Sequence, residues 1–293
     1  MDLKKVRIVN NPRSGFLKSP FLIRKTLELA LMDAPFEYEF HDTKYAGHAH
    51  ELAGEAVDNG FDAVVSVGGD GTTNEIGSAL LNTETALGVI PLGSGNGLAR
   101  GMSIPLGPVR AVKTLINGRI RTIDAGNVNG NTFFIVSGVG LDASIGKEFN
   151  DQQVRGLLPY FTIGFREFFR YKHEVFTLKF DDKEISVPAL FVTFANLRGW
   201  GGGAIISPEA RPDDGLLDIC AVHRASFWYT LFNLPRLFLG GIEKLQKYAR
   251  YQAKEVTVIR EKPGPFHFDG ETRDGGTILK ISIIPNALKI IVP

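Results

Sequence analysis

Glycine-rich loops follow the apolar segments of the first hundred residues, and they constrain the fold more than any other feature. The clearest, Gly68-Gly69-Asp70-Gly71, separates the apolar segment 61–67 from a helical pattern. Two more glycine-bearing loops, 10–15 and 93–97, follow other apolar segments. Ligands of open α/β sheets lie at the carboxyl ends of the strands. We therefore expect these loops to meet at one edge of a parallel sheet.

Helical patterns alternate with the apolar segments over the first part of the chain. They cover residues 21–32, 46–58, 73–81 and 107–116. This alternation predicts an α/β N-terminal domain, in which helices cover both faces of a parallel sheet. The third helix is predicted to begin with a capping box, because Thr72 precedes it and Glu75 follows three residues later.

The pattern changes after about residue 121, where short strands follow one another with few helices between them. The predicted strands are 120–128, 132–138, 174–180, 187–196, 216–222, 254–260, 265–269, 277–284 and 287–292. Helices are predicted only near 157–170 and 226–249. We therefore expect the α/β domain to cover 1–121 and a β-rich antiparallel domain to cover 122–284.

Charge and cysteine content exclude several classes of protein. The net charge of +1 argues against a globally basic nucleic-acid binder, so no nucleic acid partner is expected. The single cysteine, Cys220, fits a reducing compartment. The longest apolar stretch, 226–242, is interrupted by polar residues and Pro235, and it is too short to span a bilayer. The sequence thus predicts a cytoplasmic protein.

The loop 68–71 has the chemistry of a phosphate site. Glycines let the backbone approach phosphate oxygens, and the free N–H groups of a helix start attract negative charge. A tight strand-to-helix turn would explain one or two glycines, but not three around an acid. The segment 199–204 also matches the dinucleotide pattern G-x-G-x-x-A, but Ile-Ile-Ser-Pro follows it instead of a helix, so we do not expect a nucleotide there.

Several motifs resemble those of the diacylglycerol, sphingosine and ceramide kinase family, which includes small soluble bacterial lipid kinases. They are GGDGTTNEIGSAL (68–80), PLGSGNGLAR (91–100), NPRSG (11–15), DDGLLD (213–218) and Asp-Gly-Glu (269–271). The resemblance implies an NAD-kinase-like first domain that the last strands, about 285–293, rejoin. It also implies that ATP lies in the cleft between the domains. Because NAD kinases share the GGDGT string, an NAD kinase stays as an alternative.

The resemblance implies roles for individual residues. Glu271 would be the general base for a lipid hydroxyl, with Asp70 as the competing candidate because NAD kinases use the equivalent acid. The residues implied to bind the nucleotide are Asn11, Gly15, Thr43, Gly68, Gly69, Asp70, Gly71, Thr72, Asn74, Glu75, Gly93, Ser94 and Asn96.

The implied cofactors are ATP and Mg²⁺. Asp70 would hold the catalytic ion. A second Mg²⁺ would bind the side chain of Asp214 and the backbone oxygens of Arg211 and Leu216, within the acid-rich segment 213–218. The alternative for that segment is a plain turn that uses Asp-Asp-Gly.

Two segments, 157–173 and 226–250, combine aromatic with basic residues, a composition that suits a membrane interface. The alternative is that these aromatic residues form the core of the second domain. We expect an ATP-dependent lipid kinase that contacts the anionic inner face of the membrane peripherally. A non-catalytic lipid-binding protein is the alternative from another class. The acceptor stays open between a diacylglycerol-like and a sphingoid-like lipid, since Ser94-Gly95-Asn96 resembles the sphingosine and ceramide kinases.

Overall fold

The computed structural model describes residues 3–15, 20–151, 157–171 and 174–293. The chain forms two compact units. The first extends to Ile123 and also contains Asn286–Pro293, and the second is Asp124–Pro285. The chain therefore leaves the first unit once and returns to it for a final short segment.

The first unit alternates strands and helices. Its elements are β1 (Lys5–Asn10), α1 (Pro20–Ala30), β2 (Glu37–Asp42), α2 (His48–Asp58), β3 (Ala63–Gly68), α3 (Asp70–Ala79), β4 (Ala86–Pro91), α4 (Gly97–Gly101) and α5 (Pro108–Asn117). The strand order is β2-β1-β3-β4, and β4 also pairs with the end of the last strand through Leu87 and Ile290. All these pairings are parallel.

The apolar sequences of β3 and β4 explain their central positions. Every residue of both strands is buried, as expected where helices cover both faces of a sheet. Helix α1 contacts α5, and α2 contacts α3. The predicted α/β domain with a parallel sheet is confirmed.

The second unit is dominated by strands. Its elements, with the strand β5 that enters it, are β5 (Arg119–Val128), β6 (Asn131–Phe133), β7 (Val136–Gly140), α6 (Leu141–Asp151), α7 (Leu157–Arg170), β8 (Glu174–Phe180), β9 (Lys183–Ala195), β10 (Leu217–His223), α8 (Phe227–Asn233), α9 (Arg236–Leu239), β11 (Tyr248–Ala253), β12 (Glu255–Ile259), β13 (Gly264–Phe268), β14 (Glu271–Gly275) and β15 (Ile278–Val292). The strand order is β14-β13-β7-β9-β8-β12-β15, with β10 and β11 added beside β9.

Antiparallel pairing and alternation give this unit its core. Phe176, Leu178 and Phe180, which alternate along β8, are buried in one apolar cluster. Phe194 of β9 and Phe266 of β13 belong to the same cluster. The predicted antiparallel, β-rich domain is confirmed.

The helical stretch predicted near 226–249 is helical only in its first part. The structure divides this segment into α8, α9 and a short 3-10 turn at Ile242–Lys244, and then begins β11 at Tyr248. Proline disrupts a helix interior, and Pro235 separates α8 from α9. Gly240 and Gly241 follow with φ values of +85° and +95°, which end the helical path.

The capping box predicted at Thr72 is wrong. Helix α3 begins at Asp70 and has Gly69 as its N-cap, so Thr72 already lies inside the helix. Helix α6 and strand β14 are further elements that the sequence analysis did not predict. Within the described residues, we find no helix with the length and apolar character that a bilayer crossing needs.

Candidate active site

The glycine loops after β3 and β4 touch one another. The strands pair Gly68 with Pro91, and Leu92 N donates a hydrogen bond to Gly68 O at 2.7 Å. A Cβ atom on residue 93 would lie only 2.7 Å from Gly69 Cα, so this approach requires glycine. The sequence predicted that these loops meet, since each follows a strand of a parallel sheet. Their contact exposes backbone without side chains, a surface that phosphates can approach.

The loop after β1 joins the same edge through Asn11. Its backbone N–H donates to Val67 O at 2.9 Å, and its Nδ2 donates to Thr72 Oγ1, also at 2.9 Å. Thr43, which directly follows β2, donates its N–H to Asn10 O at 2.8 Å. Asn11, Thr43 and Thr72 therefore lie at the carboxyl ends of three neighbouring strands. Gly15, farther along this loop, has a φ of +99°.

The carboxylate of Asp70 points from the first turn of α3 to the start of α4. Its Oδ1 accepts a hydrogen bond from Leu98 N at 3.4 Å. Burial raises the pKa of Asp70, although the backbone N–H groups of residues 96–98 favour the charged form. A carboxylate with a raised pKa has a stronger than usual preference for a proton or a cation nearby. Asp70 thus has the chemistry of either role that the sequence analysis proposed for it.

Asn96 shapes the second glycine loop. Its backbone is left-handed, with φ +50°, and its Nδ2 donates to Gly93 O at 2.7 Å. Its Oδ1 is buried and has no hydrogen-bond partner among the described residues. Ser94 is exposed on the same loop. Asn96 therefore has a buried acceptor that no described residue uses, while Ser94 is accessible to a ligand.

Glu75 has a structural task that the sequence analysis missed. Its two carboxylate oxygens accept hydrogen bonds from the backbone N–H groups of Gly47, at 3.0 Å, and Ala49, at 3.2 Å. These donors lie at the start of α2, so Glu75 caps a helix other than its own. Gly71 lies in the first turn of α3, and Asn74 Oδ1 accepts from Ser78 Oγ at 3.4 Å. No local pattern links Glu75 to Gly47, which lies 28 residues away.

Glu271 begins β14 directly after a two-residue hairpin loop. The loop residues Asp269 and Gly270 have φ values of +48° and +90°, the combination of a type I′ turn. The Asp269 carboxylate accepts hydrogen bonds from the backbone N–H groups of residues 134, 135 and 136, at 2.8 to 3.1 Å. Asp269 thus fixes the turn that presents the exposed Glu271. The Asp-Gly-Glu motif was evident in the sequence, but this role of its aspartate was not.

The segment 213–218 contains several carboxylates, as the sequence indicated, but their exposure and their partners differ. Asp214 is exposed and has a raised pKa, because of partial burial, with Asp218, Asp124 and Asp213 adding repulsion. Asp124, which the sequence analysis missed, is buried and accepts from Gly215 N at 2.7 Å. Asp218 forms an ion pair with Arg250 at 2.8 Å.

A Mg²⁺ ion would suit Asp214, because partial burial and neighbouring carboxylates raise its pKa and carboxylate oxygen is a ligand that Mg²⁺ prefers. In the described part of the chain, no three His, Cys, Asp or Glu side chains group closely enough to hold a metal ion by themselves. The ligands predicted for the second Mg²⁺ are instead the carboxylate of Asp214 and two backbone oxygens, so they do not form a group of three such side chains.

Helices α7 and α8 meet through aromatic rings. Phe227 of α8 lies 5.1 to 5.9 Å, between ring centroids, from Phe165, Phe168 and Phe169 of α7. We call these rings, together with Trp228 and Phe232, the ring cluster. Much of it is exposed, so these aromatics are not simply the core of the second domain.

Two basic residues of the segment 157–173 have carboxylate partners within the protein. Arg166 forms an ion pair with Glu148 at 2.5 Å, and Arg170 forms one with Glu167 at 3.8 Å. Their charges are therefore balanced within the protein. Lys172 lies outside the described residues.

The chain matches two family models that together cover most of its length. The diacylglycerol kinase catalytic domain matches residues 5–128, and the YegS C-terminal NAD kinase beta sandwich-like domain matches residues 135–292. Together with the glycine loops around Asp70, these matches define the class of the protein as a kinase that uses ATP.

The relatives give the family. A diacylglycerol kinase of Mycobacterium tuberculosis is 32% identical over 259 residues, which cover 84% of this chain and 83% of that protein. A diacylglycerol kinase of Bacillus subtilis is 32% identical over 280 residues, which cover 92% and 90%. The chain therefore belongs to the diacylglycerol kinase family of bacterial lipid kinases.

Solved structures agree with the fold. A diacylglycerol kinase from Bacillus anthracis str. Sterne aligns with a TM-score of 0.80 at 20% identity, covering 100% of this chain and 98% of that one. An NAD kinase from Archaeoglobus fulgidus in complex with ATP aligns with a TM-score of 0.54 at 16% identity, covering 98% and 93%. At these identities both likenesses show the fold alone, and the NAD kinase is the more distant neighbour.

Proposed function

We propose that the protein transfers the γ-phosphoryl group of ATP to a lipid hydroxyl, and that diacylglycerol is the favoured acceptor. The observation that carries this proposal is the convergence of three glycine-bearing loops beside Asp70, in a chain whose relatives are diacylglycerol kinases. Side-chain-free backbone suits the phosphates of the donor.

In this reaction the lipid hydroxyl loses its proton to a general base as its oxygen attacks the γ-phosphorus. The bond between the γ-phosphorus and the β–γ bridging oxygen breaks, and ADP leaves. We assign the base to Glu271. Its support is the rigid turn beneath it, which Asp269 holds through three backbone N–H groups. A base fixed in this way contributes about 10²–10⁴-fold in rate.

Mg²⁺ would neutralise the charge on the phosphates. We propose that Asp70 holds the catalytic ion and that Asp214 holds a second Mg²⁺. For Asp70 the support is its burial beside the glycine loops, which makes an adjacent cation favourable. For Asp214 it is the repulsion from neighbouring carboxylates.

The acceptor also requires contact with a membrane, because a diacylglycerol with long chains stays in the bilayer. We propose that the second unit contacts the anionic membrane surface peripherally, on the cytoplasmic side. The exposed rings of α7 and α8 support this proposal, since aromatic side chains are favoured at headgroup depth.

The test is transfer of label from γ-³²P-ATP to acceptors in detergent micelles. We expect diacylglycerol to be labelled in preference to sphingosine. Glu271→Gln should retain ATP binding but lose at least about 10²-fold in turnover, because Gln cannot take the proton. Full turnover by Glu271→Gln, with a dead Asp70→Asn protein that still binds ATP, would assign the base to Asp70.

The same assay separates the alternatives. Label that enters NAD and no lipid would indicate an NAD kinase. A protein that binds lipid vesicles but labels neither acceptor would be a non-catalytic lipid-binding protein.

A further inference from the structure

The ring cluster forms an exposed apolar surface on the second unit. Phe169 is 60% exposed, Trp228 64% and Phe232 76%. Leu231 and Leu239, on α8 and α9, are also exposed. Contiguous apolar surface of this kind marks an interaction site more often than chance exposure.

A pocket of about 550 Å³ opens beside these rings. Its apolar wall consists of Phe168, Phe169 and Phe227, with Tyr171. Its polar wall contains Arg224, Ser226 and Lys247, and none of the described residues that line it carries a carboxylate. The pocket therefore combines ring faces with positive charge.

The cations of this pocket differ from those of α7. Arg166 and Arg170 have carboxylate partners, whereas Arg224 and Lys247 form no ion pair with any described residue. Both are exposed, so their charges are available to a ligand. A pocket with two unbalanced cations favours an anion.

The backbone holds the two cations in place. Strands β10 and β11 pair up to Val222 and Tyr248, and His223 N donates to Lys247 O at 2.7 Å. Arg224 is the next residue after that hydrogen bond. The two cations therefore project from the paired end of a β-ribbon, directly beside the rings.

We propose that Arg224 and Lys247 bind the phosphate of an anionic phospholipid headgroup while the ring cluster enters the membrane interface. The positive charge of the pocket favours an anionic ligand. The exposed rings next to the pocket favour a ligand that lies in a bilayer. The inference rests on the proposed function, because that function brings the second unit to a membrane. It adds the pocket that recognises the headgroup phosphate and the two side chains that bind it.

The test is binding of the full-length protein to sedimenting vesicles, without ATP or acceptor. A basic residue near an anionic surface contributes about 1 kcal/mol, so two give a preference of about 30-fold. We expect binding to phosphatidylcholine vesicles that contain 30% phosphatidylglycerol to be tighter than binding to phosphatidylcholine alone by about that factor.

A matched pair of double variants tests the residues. Arg224→Gln with Lys247→Gln should lose at least about 10-fold in affinity for the anionic vesicles. Arg166→Gln with Arg170→Gln removes the same formal charge and should stay within about 3-fold of wild type. Equal losses in both variants would mean general electrostatic attraction, and no loss in the first would remove the site.

Trp228 fluorescence provides a second measurement, in a Trp200→Phe background where it is the only tryptophan. Its emission should shift to shorter wavelength as anionic vesicles are added, and the Arg224/Lys247 variant should need at least about 10-fold more lipid. An unchanged spectrum at saturating lipid would contradict the entry of the ring cluster into the interface.

The proposed function can fail separately. A wild-type protein that prefers anionic vesicles but phosphorylates no lipid in micelles would support this site and refute the kinase assignment. A wild-type protein that phosphorylates lipid in micelles but shows no preference for anionic vesicles would refute this site alone.

Discussion

Asp70 and Gly93 lie at two loops that are in contact, and close neighbours restrict both residues. Gly93 lies so close to Gly69 that any Cβ would collide with backbone. The Asp70 carboxylate is partly removed from water, and backbone N–H groups compensate its charge incompletely. A side chain at residue 93 would therefore strain the candidate site, and the buried charge of Asp70 costs free energy there.

Gly93→Ala should displace the loop. The new Cβ would lie 2.7 Å from Gly69 Cα and 3.0 Å from Asn96 Oδ1, so one loop must move. We expect unfolding free energy to fall by about 1–3 kcal/mol and ATP affinity to fall at least 10-fold, measured by urea unfolding and calorimetry. Gly54→Ala on α2 is the control, because a Cβ there has no neighbour within 4 Å. Normal ATP affinity in Gly93→Ala would separate this contact from nucleotide binding.

Asp70→Asn should make stability less dependent on pH. The pKa of Asp70 is raised by burial, so the wild-type protein loses stability as pH rises through that pKa, while Asn has no charge to desolvate. The variant should exceed the wild type in unfolding free energy at pH 8, and the difference should disappear towards pH 4. Urea unfolding across this range measures it, with the exposed Asp33→Asn as control. A variant that is less stable than wild type at pH 8 would mean that the N–H groups outweigh the burial.

At the scale of elements, the β13–β14 hairpin depends on one side chain. Asp269 holds three backbone N–H groups in the segment that leads into β7. The β8–β9 hairpin also has an aspartate of left-handed backbone in its two-residue loop, Asp181, with φ +50°. Asp269 and Asp181 thus occupy the same position of a two-residue turn, but their carboxylates have different contacts.

Asp269→Ala should therefore destabilise the protein more than Asp181→Ala. Both changes place alanine in a left-handed turn, but only the first leaves backbone donors without their acceptor. We expect an additional loss of about 3 kcal/mol in unfolding free energy, measured by urea denaturation. Kinase turnover should fall with it, because Glu271 follows the same turn. Equal losses of unfolding free energy in Asp269→Ala and Asp181→Ala would mean that water replaces the Asp269 carboxylate as hydrogen-bond acceptor.

The sequence pattern predicted those elements that begin and end at residues adjacent to them in the chain. Buried apolar strands such as β3 and β4, and the glycine loops after them, could be located from the sequence. The segment 226–249 could not, because its aromatic residues fit a helix until Pro235 and the glycines at 240 and 241 divide it. Likewise, the carboxylates of Glu75 and Asp269 act on backbone 28 and more than 130 residues away, and only the tertiary structure brings those partners together.

At the scale of the whole molecule, the first unit is built from two separate pieces of chain. Its last piece, Asn286–Pro293, buries Leu288, Ile290, Ile291 and Val292 almost completely. Asn82 N donates to Ala287 O at 2.8 Å, which fixes this piece against the loop before β4. The parallel sheet of the first unit is therefore incomplete without the end of β15.

Removal of residues 286–293 should unfold the first unit selectively. Four buried aliphatic side chains contribute about 8 kcal/mol, which is comparable to the whole stability of a domain. We expect limited proteolysis to cleave within residues 1–123, and ATP binding to be lost, while 124–285 resists. Lys289→Ala, which removes only a surface ion pair with Glu84, should leave both regions resistant. ATP binding by the shortened chain would contradict this dependence.

The divided first unit has a consequence for the order of events on the ribosome. Domains fold as they are synthesised, at roughly 5–20 residues per second, so the residues between Ile123 and Asn286 delay the closing strand by on the order of ten seconds. During that interval the nascent chain has its glycine loops but lacks the strand that completes their sheet. Nucleotide binding should therefore begin only after the second unit has been translated, and ATP would select chains in which both units are finished.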